Sequence, residues 1–192
     1  RIETHAIIPD SGGPGFHRGG NGVHTAYRIL NKGQISIHDD RWLTHPWGVN
    51  GGLPAARSSK FLERSNGESK TLGSKCDRIE VLPGDIVHYR TWGGGGWGDP
   101  LTRPVEKVLF DVEAGLVTSK GATRYGVVIS QDNKVNLDET KILRNRMKKE
   151  RGTIELFNRG GTIDELLARC ELETGLPAPN PPTFPHWIQQ KN

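Results

Sequence analysis

The segment RTWGGGGWGDP, residues 90–100, places four consecutive glycines between two tryptophans. Glycine permits backbone conformations and close approaches that a Cβ atom forbids, at an entropic cost, whereas tryptophan needs a large space. Flexible linkers are rich in Gly and Ser and lack large aromatic residues, so a linker explains this segment poorly. Two interpretations remain: a phosphate-binding loop, or a backbone that passes very close to a ligand or another subunit.

A phosphate-binding loop fits the segment badly. A Walker loop requires Lys and then Ser or Thr after its last glycine, but Gly96 is followed by Trp97, Gly98, Asp99 and Pro100. The Asp99 carboxylate would repel a phosphate. No strand–turn–helix unit with an acidic residue at the dinucleotide-binding distance surrounds the run. Close approach of the backbone is therefore the favoured interpretation.

A second glycine-rich loop, DSGGPGFHRGG at residues 10–20, carries a single arginine, Arg18. A guanidinium fork on a shaped loop can hold an anion. A solvated arginine on an ordinary surface turn explains the same residues equally well, so both interpretations stay open.

The segment HDDRW, residues 38–42, combines a histidine, two acids and an arginine. On a strand, His38 and Asp40 would share one face and could supply two metal ligands, with Asp39 and Arg41 on the other face. No third ligand can be identified, so ion pairs at a strand end are favoured over a metal site.

The composition limits the class of protein. Glycine accounts for 25 of 192 residues and hydrophobic residues for 33%, so much of the apolar content buries little surface. The length predicts one domain, with large loops or a core completed against a partner. The net charge of +4 equals the excess of seven basic over three acidic residues in 134–151. We interpret that segment as a solvated helix face rather than a nucleic-acid site.

The cysteine content and the hydropathy predict a location in the cytoplasm. Cys76 and Cys170 stand far apart and outside any C-x-x-C motif, as in a reduced protein. The sequence shows neither a signal peptide nor an apolar run long enough to span a membrane. The chain starts at Arg1 rather than Met, and whether it is a natural subunit, a processed product or a fragment stays open.

Hydrophobic periodicity predicts a β-rich region up to residue 100 and helices after it. The expected strands lie at 2–8, 23–30 and 34–40, in a hairpin around Asn66-Gly67, and on both sides of 82–85, with Asn31-Lys32-Gly33 as a hairpin turn between the second and third strands. The expected helices cover 105–112, a short turn in 118–126 before a strand at 127–130, 138–151, and a segment opened by a capping box at Thr162 and Glu165. The five prolines in 175–185 predict an extended tail. The fold class is therefore α+β: a β-rich, glycine-loop N-terminal two-thirds followed by helices and a Pro-rich tail.

Several motifs in order resemble the C-terminal region of the hydantoinase B/oxoprolinase family, which includes 5-oxoprolinase, N-methylhydantoinase and subunits of acetone and acetophenone carboxylases. The motifs are DSGGPGFHRGGNGV at 10–23, DDR at 39–41, PWGVNGG at 46–52, LPGDIV at 82–87, GGGGWGDP at 93–100 and DVEAGLVTSKGATRYGVVI at 111–129. The resemblance implies a β-rich family domain over 1–130 and a helical extension with a Pro-rich tail over 131–192.

The resemblance also implies a function. The chain is expected to be a C-terminal domain or small subunit of an ATP-dependent cyclic-amide hydrolase or ketone carboxylase, inactive alone. It would shape the substrate site with an N-terminal hydantoinase B part and a hydantoinase A-type partner that binds ATP and Mg. A divalent metal would belong to the N-terminal part, and none to this chain. A non-catalytic scaffold subunit of the same kind of complex is the alternative.

The site residues expected from these arguments come from the glycine loops and the DDR motif. Arg18 is expected to contact an anion or a transition state, and Asp40, Arg41 and Asp99 to line the site or order its loops. Gly12, Gly13, Gly94 and Gly95 are the expected substrate-binding residues.

Overall fold

The computed structural model describes residues 1–130 and 132–179, and it has the predicted α+β architecture. Nine strands and three α-helices lie within those ranges. The strands are β1 (Ile2–Ile7), β2 (Val23–Arg28), β3 (Gly33–His38), β4 (Gly48–Val49), β5 (Ser59–Glu63), β6 (Ser69–Leu72), β7 (Lys75–Val81), β8 (Ile86–Arg90) and β9 (Phe157–Asn158). The helices are α1 (Val105–Glu113), α2 (Leu137–Glu150) and α3 (Ile163–Thr174).

Five strands form an antiparallel main sheet in the order β1-β2-β8-β5-β6. Successive side chains of a strand point to opposite faces, and the register aligns Leu62 of β5 with Val87 of β8. These two side chains are buried in one core with Leu72 and with Val81 of β7. The alternation seen in the sequence therefore selects the face of the main sheet that is buried.

A second sheet, formed by β3 and β7, covers this core. The prediction of a hairpin between the second and third strands is wrong, because β2 pairs with β1 and β8 and has no free edge for β3. Gly33 also lacks the positive φ of a tight two-residue hairpin turn. The hairpin predicted at Asn66-Gly67 does form between β5 and β6, with φ of 88° at Gly67.

A separate core lies under α1. Val108 of the helix packs with Val117, Ala122, Tyr125 and Val127, all buried. Burial raises the pKa of Tyr125 to about 12, so its hydroxyl stays protonated. The prediction of a strand at 127–130 is wrong. The segment forms a single bridge between Ile129 and Val135, because its apolar residues pack against α1 instead of joining a sheet.

The last two helices begin where the sequence predicts. The Asn136 side chain caps α2 by accepting a hydrogen bond from the Glu139 backbone N–H at 3.1 Å. Thr162 and Glu165 form the predicted capping box of α3. Arg144 turns inward from α2 and donates to the carbonyl oxygen of Arg103 at 2.7 Å, so the basic face is only partly solvated.

The predicted Pro-rich tail lies mostly outside the described residues, which end at 179. Within the described part of the chain, no helix combines the length and the apolar character needed to cross a membrane.

Candidate functional site

Three glycine-rich loops, 11–22, 46–53 and 93–98, meet in what we call the glycine-loop assembly. Backbone hydrogen bonds join them: Gly13 N–H donates to Gly94 O at 2.8 Å, and Gly96 N–H donates to the Leu53 carbonyl at 3.0 Å. Val49 N–H donates to Gly96 O at 2.9 Å. The four-glycine run therefore lies between the other two loops, and several of its backbone polar groups are hydrogen-bonded to them.

The spacing at several glycines of this assembly leaves no room for a Cβ atom. A Cβ atom on Gly12 would overlap the Gly19 carbonyl oxygen, and one on Gly13 would overlap that of Leu53. A Cβ atom on Gly95 would overlap the carbonyl oxygen of Trp47. Close approach is thus the reason for the glycines, and the backbone they approach belongs to this chain itself.

The four glycines expected to bind substrate occupy different depths of the assembly. Gly12 and Gly13 are buried, Gly95 is half-buried and Gly94 is exposed. Gly94 N–H donates to Gly20 O at 2.8 Å, and Gly20 is exposed as well. Among these positions the surface of the assembly is therefore made by Gly20 and Gly94.

Arg18 is held by internal contacts. Its Nη1 donates to the Gly19 carbonyl at 2.6 Å and to the Asn21 side chain at 2.5 Å. Its Nε lies 3.5 Å from Asp111 Oδ1, and Arg103 Nη2 donates to the other oxygen of Asp111 at 2.8 Å. The Asp111 carboxylate thus joins two guanidinium groups and fixes the first glycine loop to α1.

Sequence reasoning missed Asp111 and Arg103. The available signal was the position of Asp111 three residues after Val108, on the buried face of α1. A carboxylate on a buried helix face requires a cationic partner or hydrogen-bond donors, which Arg18 and Arg103 supply.

Asp99 orders the exit of the glycine run. Its carboxylate accepts a hydrogen bond from the Leu101 backbone N–H at 2.9 Å, at the start of a short 3₁₀ turn. The same carboxylate pairs with Arg151, just beyond the end of α2. Arg151 also lines a cleft of about 280 Å³ with Gly51 and Gly52.

The two acids of the DDR motif have different environments. Since β3 ends at His38, the strand alternation does not continue through Asp39 and Asp40. The Asp39 carboxylate is fully buried and accepts hydrogen bonds from Ser58, Lys60 and, at 2.7 Å, the Tyr89 hydroxyl. Asp40 is exposed, 3.7 Å from the Lys75 amine.

The buried partner of Asp39 is a lysine on the core side of β5, two residues before Leu62. Burial, followed by the hydrogen bond to Asp39, raises the pKa of Tyr89 above its ordinary value. Sequence reasoning selected Asp40 and missed Asp39 and Lys60. The signal that was available is Lys60 itself, a charged residue at an inward position of an alternating strand.

Arg41 lies on the edge of a separate cleft. Its backbone has a φ of 55°, and its carbonyl oxygen accepts a hydrogen bond from Ser58 N–H at 3.0 Å. Its guanidinium carbon lies 5.8 Å from the ring centroid of Trp47. The four polar residues expected at one site therefore occupy four separate contacts: Arg18 with Asp111, Asp99 with Arg151, Asp40 with Lys75, and Arg41 with Trp47.

A histidine pair crosses the outer face of the main sheet. His24 Nε2 lies 3.0 Å from His88 Nδ1, and His88 Nε2 lies 3.3 Å from a carboxylate oxygen of Glu63. Burial, Arg90 and His88 lower the pKa of His24. These three residues show no ligand spacing in the sequence, because they come from different strands. Over residues 1–130 and 132–179, no group of three His, Cys, Asp or Glu residues is placed to hold a metal ion.

The fold is an α+β domain in which three closely packed glycine-rich loops accompany a five-stranded antiparallel sheet and its two-stranded cover. The chain belongs to the hydantoinase B/oxoprolinase family, and the family model matches residues 1–100.

Comparison with individual proteins extends the similarity beyond residue 100. The chain is 38% identical over 147 residues to an uncharacterised protein of Methanocaldococcus jannaschii. The aligned segment covers 74% of this chain and 26% of that protein. It is 27% identical over 184 residues to the acetone carboxylase alpha subunit of Xanthobacter autotrophicus, covering 76% and 24% of the two chains.

The fold is also similar to the crystal structure of the ATP-dependent caprolactamase from Pseudomonas jessenii. The TM-score is 0.62 at 28% identity, over 75% of this chain and 26% of the other. The chain thus spans about a quarter of the length of these relatives.

Proposed function

We propose that this chain is a C-terminal domain or small subunit of an ATP-dependent cyclic-amide hydrolase, of the hydantoinase or oxoprolinase type, or of a ketone carboxylase. Membership of the family supports this proposal, as does the similarity to a caprolactamase described as ATP-dependent and to an acetone carboxylase subunit. Because the similarity spans about a quarter of those chains, we assign the complete reaction to an assembly and not to this chain alone.

The observation that carries the proposal is the exposed backbone of Gly20 and Gly94 at the surface of the glycine-loop assembly. Gly20 and Gly94 are hydrogen-bonded to each other, and Gly12, Gly13 and Gly95 lie too close to other backbone atoms to accept a Cβ atom. Such a surface lets peptide groups approach a small cyclic amide or ketone without steric obstruction. In this proposal the chain forms one wall of the substrate site, and Arg18 and Asp99 hold that wall in position.

ATP and Mg are assigned to a hydantoinase A-type partner subunit in this proposal, and any divalent metal to the N-terminal hydantoinase B part. The polar residues of the glycine loops support this division, because Arg18 and Asp99 are already engaged in internal ion pairs. The loops therefore have little unpaired positive charge with which to bind a triphosphate.

The edge of the main sheet offers a contact surface for the N-terminal part. No strand in the described part of the chain pairs with the outer side of β1. Ile2, Ile7 and Tyr27 are exposed on β1 and its neighbour β2. An exposed edge strand with apolar side chains is a ready site for pairing with another segment, so we place the contact with the rest of the complex there.

A non-catalytic scaffold role is the second candidate. It is favoured by the observation that the charged side chains near the loops are used in internal ion pairs: Arg18 and Arg103 pair with Asp111, and Asp99 pairs with Arg151. In that role the glycine-loop assembly would contact only protein.

Reconstitution tests both candidates. The chain is co-expressed with an N-terminal hydantoinase B part and an ATP-binding subunit, and ATP turnover is measured with a lactam, a hydantoin and a ketone. We expect association, turnover that requires this chain, and loss of turnover in Gly94→Trp, which covers the exposed surface. The variant Ile7→Lys, at the β1 edge, should weaken association.

Two results would separate the alternatives. Full turnover in a Gly94→Trp complex that still assembles would favour the scaffold role. A chain that stays monomeric with both partners present would overturn the proposal as a whole.

A further inference from the structure

Two arginines from distant parts of the chain meet at one tryptophan. The guanidinium carbon of Arg41 lies 5.8 Å from the Trp47 ring centroid, and that of Arg159 lies 5.1 Å from it. Both distances are within the range of cation–π attraction. Neither arginine forms an ion pair with any residue in the described ranges, in contrast to Arg18 and Arg151. Two guanidinium groups therefore contact the same tryptophan ring, and neither is paired with a carboxylate of the described residues.

These arginines border a cleft of about 390 Å³. Trp47, Ile163 and Leu166 give it an apolar lining, and Leu166 is buried at its base. The hydroxyl-bearing residues Thr44 and Thr162 also line it. This size falls within the range of small-molecule sites, which combine an apolar lining with a few polar groups.

The backbone presents Arg41 to the cleft at an energetic cost. A φ of 55° is unusual for an arginine, and such a conformation persists only where the surrounding structure imposes it. Ser58 enforces it: its N–H donates to the Arg41 carbonyl at 3.0 Å, and its hydroxyl contacts the buried Asp39 and the Asp40 carbonyl. The Asp39–Lys60 pair therefore anchors the residue that carries the guanidinium.

The electrostatic surroundings add to the positive charge of the cleft. Helix α3 begins at Ile163, so the positive end of its dipole lies at the cleft. Two acidic residues, Asp164 and Glu165, lie in the first turn of α3. Glu165 is engaged in the capping box, where it accepts the Thr162 backbone N–H at 2.8 Å. Asp164 is exposed and is not part of the cleft lining. The charged side chains that line the cleft itself are those of Arg41 and Arg159.

We propose that this cleft binds a small organic carboxylate. The carboxylate lies between Arg41 and Arg159, since a guanidinium fork matches its two oxygens, and the hydrocarbon part packs on Trp47 and Leu166. Inorganic phosphate would find the same cations but would gain nothing from the apolar lining. The site needs only this chain and is independent of the reaction proposed above.

Calorimetry on the full chain tests the site with hexanoate as the probe. Hexanamide, which has the same hydrocarbon chain without the charge, and inorganic phosphate are the comparison ligands. We expect saturable hexanoate binding at one site, at least about tenfold weaker binding of hexanamide and phosphate, and about tenfold weaker hexanoate binding in Arg41→Gln and in Arg159→Gln. The control Arg146→Gln removes one exposed guanidinium from α2 and should bind hexanoate like the parent chain.

The folded state of each variant is checked by circular dichroism and melting temperature, and Arg159→Gln, on an exposed residue, should stay folded. Equal binding of hexanoate and hexanamide, or equal loss in all three arginine variants, would overturn the proposal. No binding of hexanoate to the folded parent chain, or tighter binding of phosphate than of hexanoate, would overturn it as well. Tighter binding of an acetylated peptide ending in a leucine carboxylate would overturn the proposal of a small-molecule ligand in favour of a protein C-terminus.

Discussion

Gly95 lies so close to Trp47 that any side chain at residue 95 would overlap the Trp47 carbonyl oxygen. This contact joins the four-glycine run to the loop 46–53, which carries Trp47. The neighbouring glycine at residue 20 belongs to the same assembly, but a Cβ atom there would meet nothing within 4 Å.

We therefore expect Gly95→Ala to destabilise the chain by about 3 kcal/mol or more, because the backbone of two loops must shift to admit the methyl group. Gly20→Ala, the matched control, should change the free energy of unfolding by less than about 1 kcal/mol. Chemical denaturation of the two variants measures both values. Equal stability of the two variants would show that the run behaves as a linker.

The buried pair of Asp39 and Lys60 gives a second prediction. Lys60→Met leaves the Asp39 carboxylate buried without its cation and should cost about 3–5 kcal/mol of stability. Adding Asp39→Asn removes the uncompensated charge, so the double variant should be more stable than Lys60→Met alone. Denaturation midpoints of the single and double variants test this. Lys75→Met, which removes the exposed partner of Asp40, should change stability by less than about 1 kcal/mol.

A third prediction concerns acid sensitivity at His45. Burial lowers the pKa of His45, against a hydrogen bond between its Nδ1 and the Ala55 carbonyl at 2.7 Å that raises it. In the unfolded chain this histidine takes up a proton near pH 6.5, whereas the folded chain does so only at lower pH. The unfolded state thus binds more protons below pH 6.5, and stability falls as the pH falls through that interval.

The variant His45→Asn keeps an N–H donor for Ala55 but cannot take up the proton. Its stability should decline less between pH 8 and pH 5 than that of the parent chain. Urea denaturation at the two pH values measures the difference. The exposed His38, changed to Asn, serves as the control, and an unchanged decline in His45→Asn would contradict the prediction.

A fourth prediction is that the chain alone does not bind Mg-ATP more tightly than about 100 μM, roughly −5.5 kcal/mol. No glycine run is followed by Lys-Ser or Lys-Thr. Arg18 is engaged by Asp111, and the Asp10 and Asp99 carboxylates lie in the two richest loops, where they accept hydrogen bonds from Thr118 and Leu101. Titration calorimetry decides the question. Tighter binding that disappears in Arg18→Ala would show that the first glycine loop holds the nucleotide.

The sequence by itself determined the local elements of this protein. The capping box of Thr162 and Glu165, the Asn66-Gly67 turn and the apolar stripe of α1 all appear where predicted, because each depends on residues within a few positions of one another. The glycine run was also informative, since four adjacent residues without side chains have few uses other than close packing.

The tertiary structure decided which distant residues meet. Three features follow from how sheet faces and loops pack. Strand β2 pairs with β8 instead of β3, Asp39 is buried and Asp40 is not, and Arg159 contacts Trp47. Strand periodicity fixes which face is apolar, but the choice of partner strand depends on long-range burial that no local pattern contains. For the same reason the sequence predicted that other atoms lie very close to the glycine backbone. Only the fold showed that those atoms belong to the backbone of this same chain.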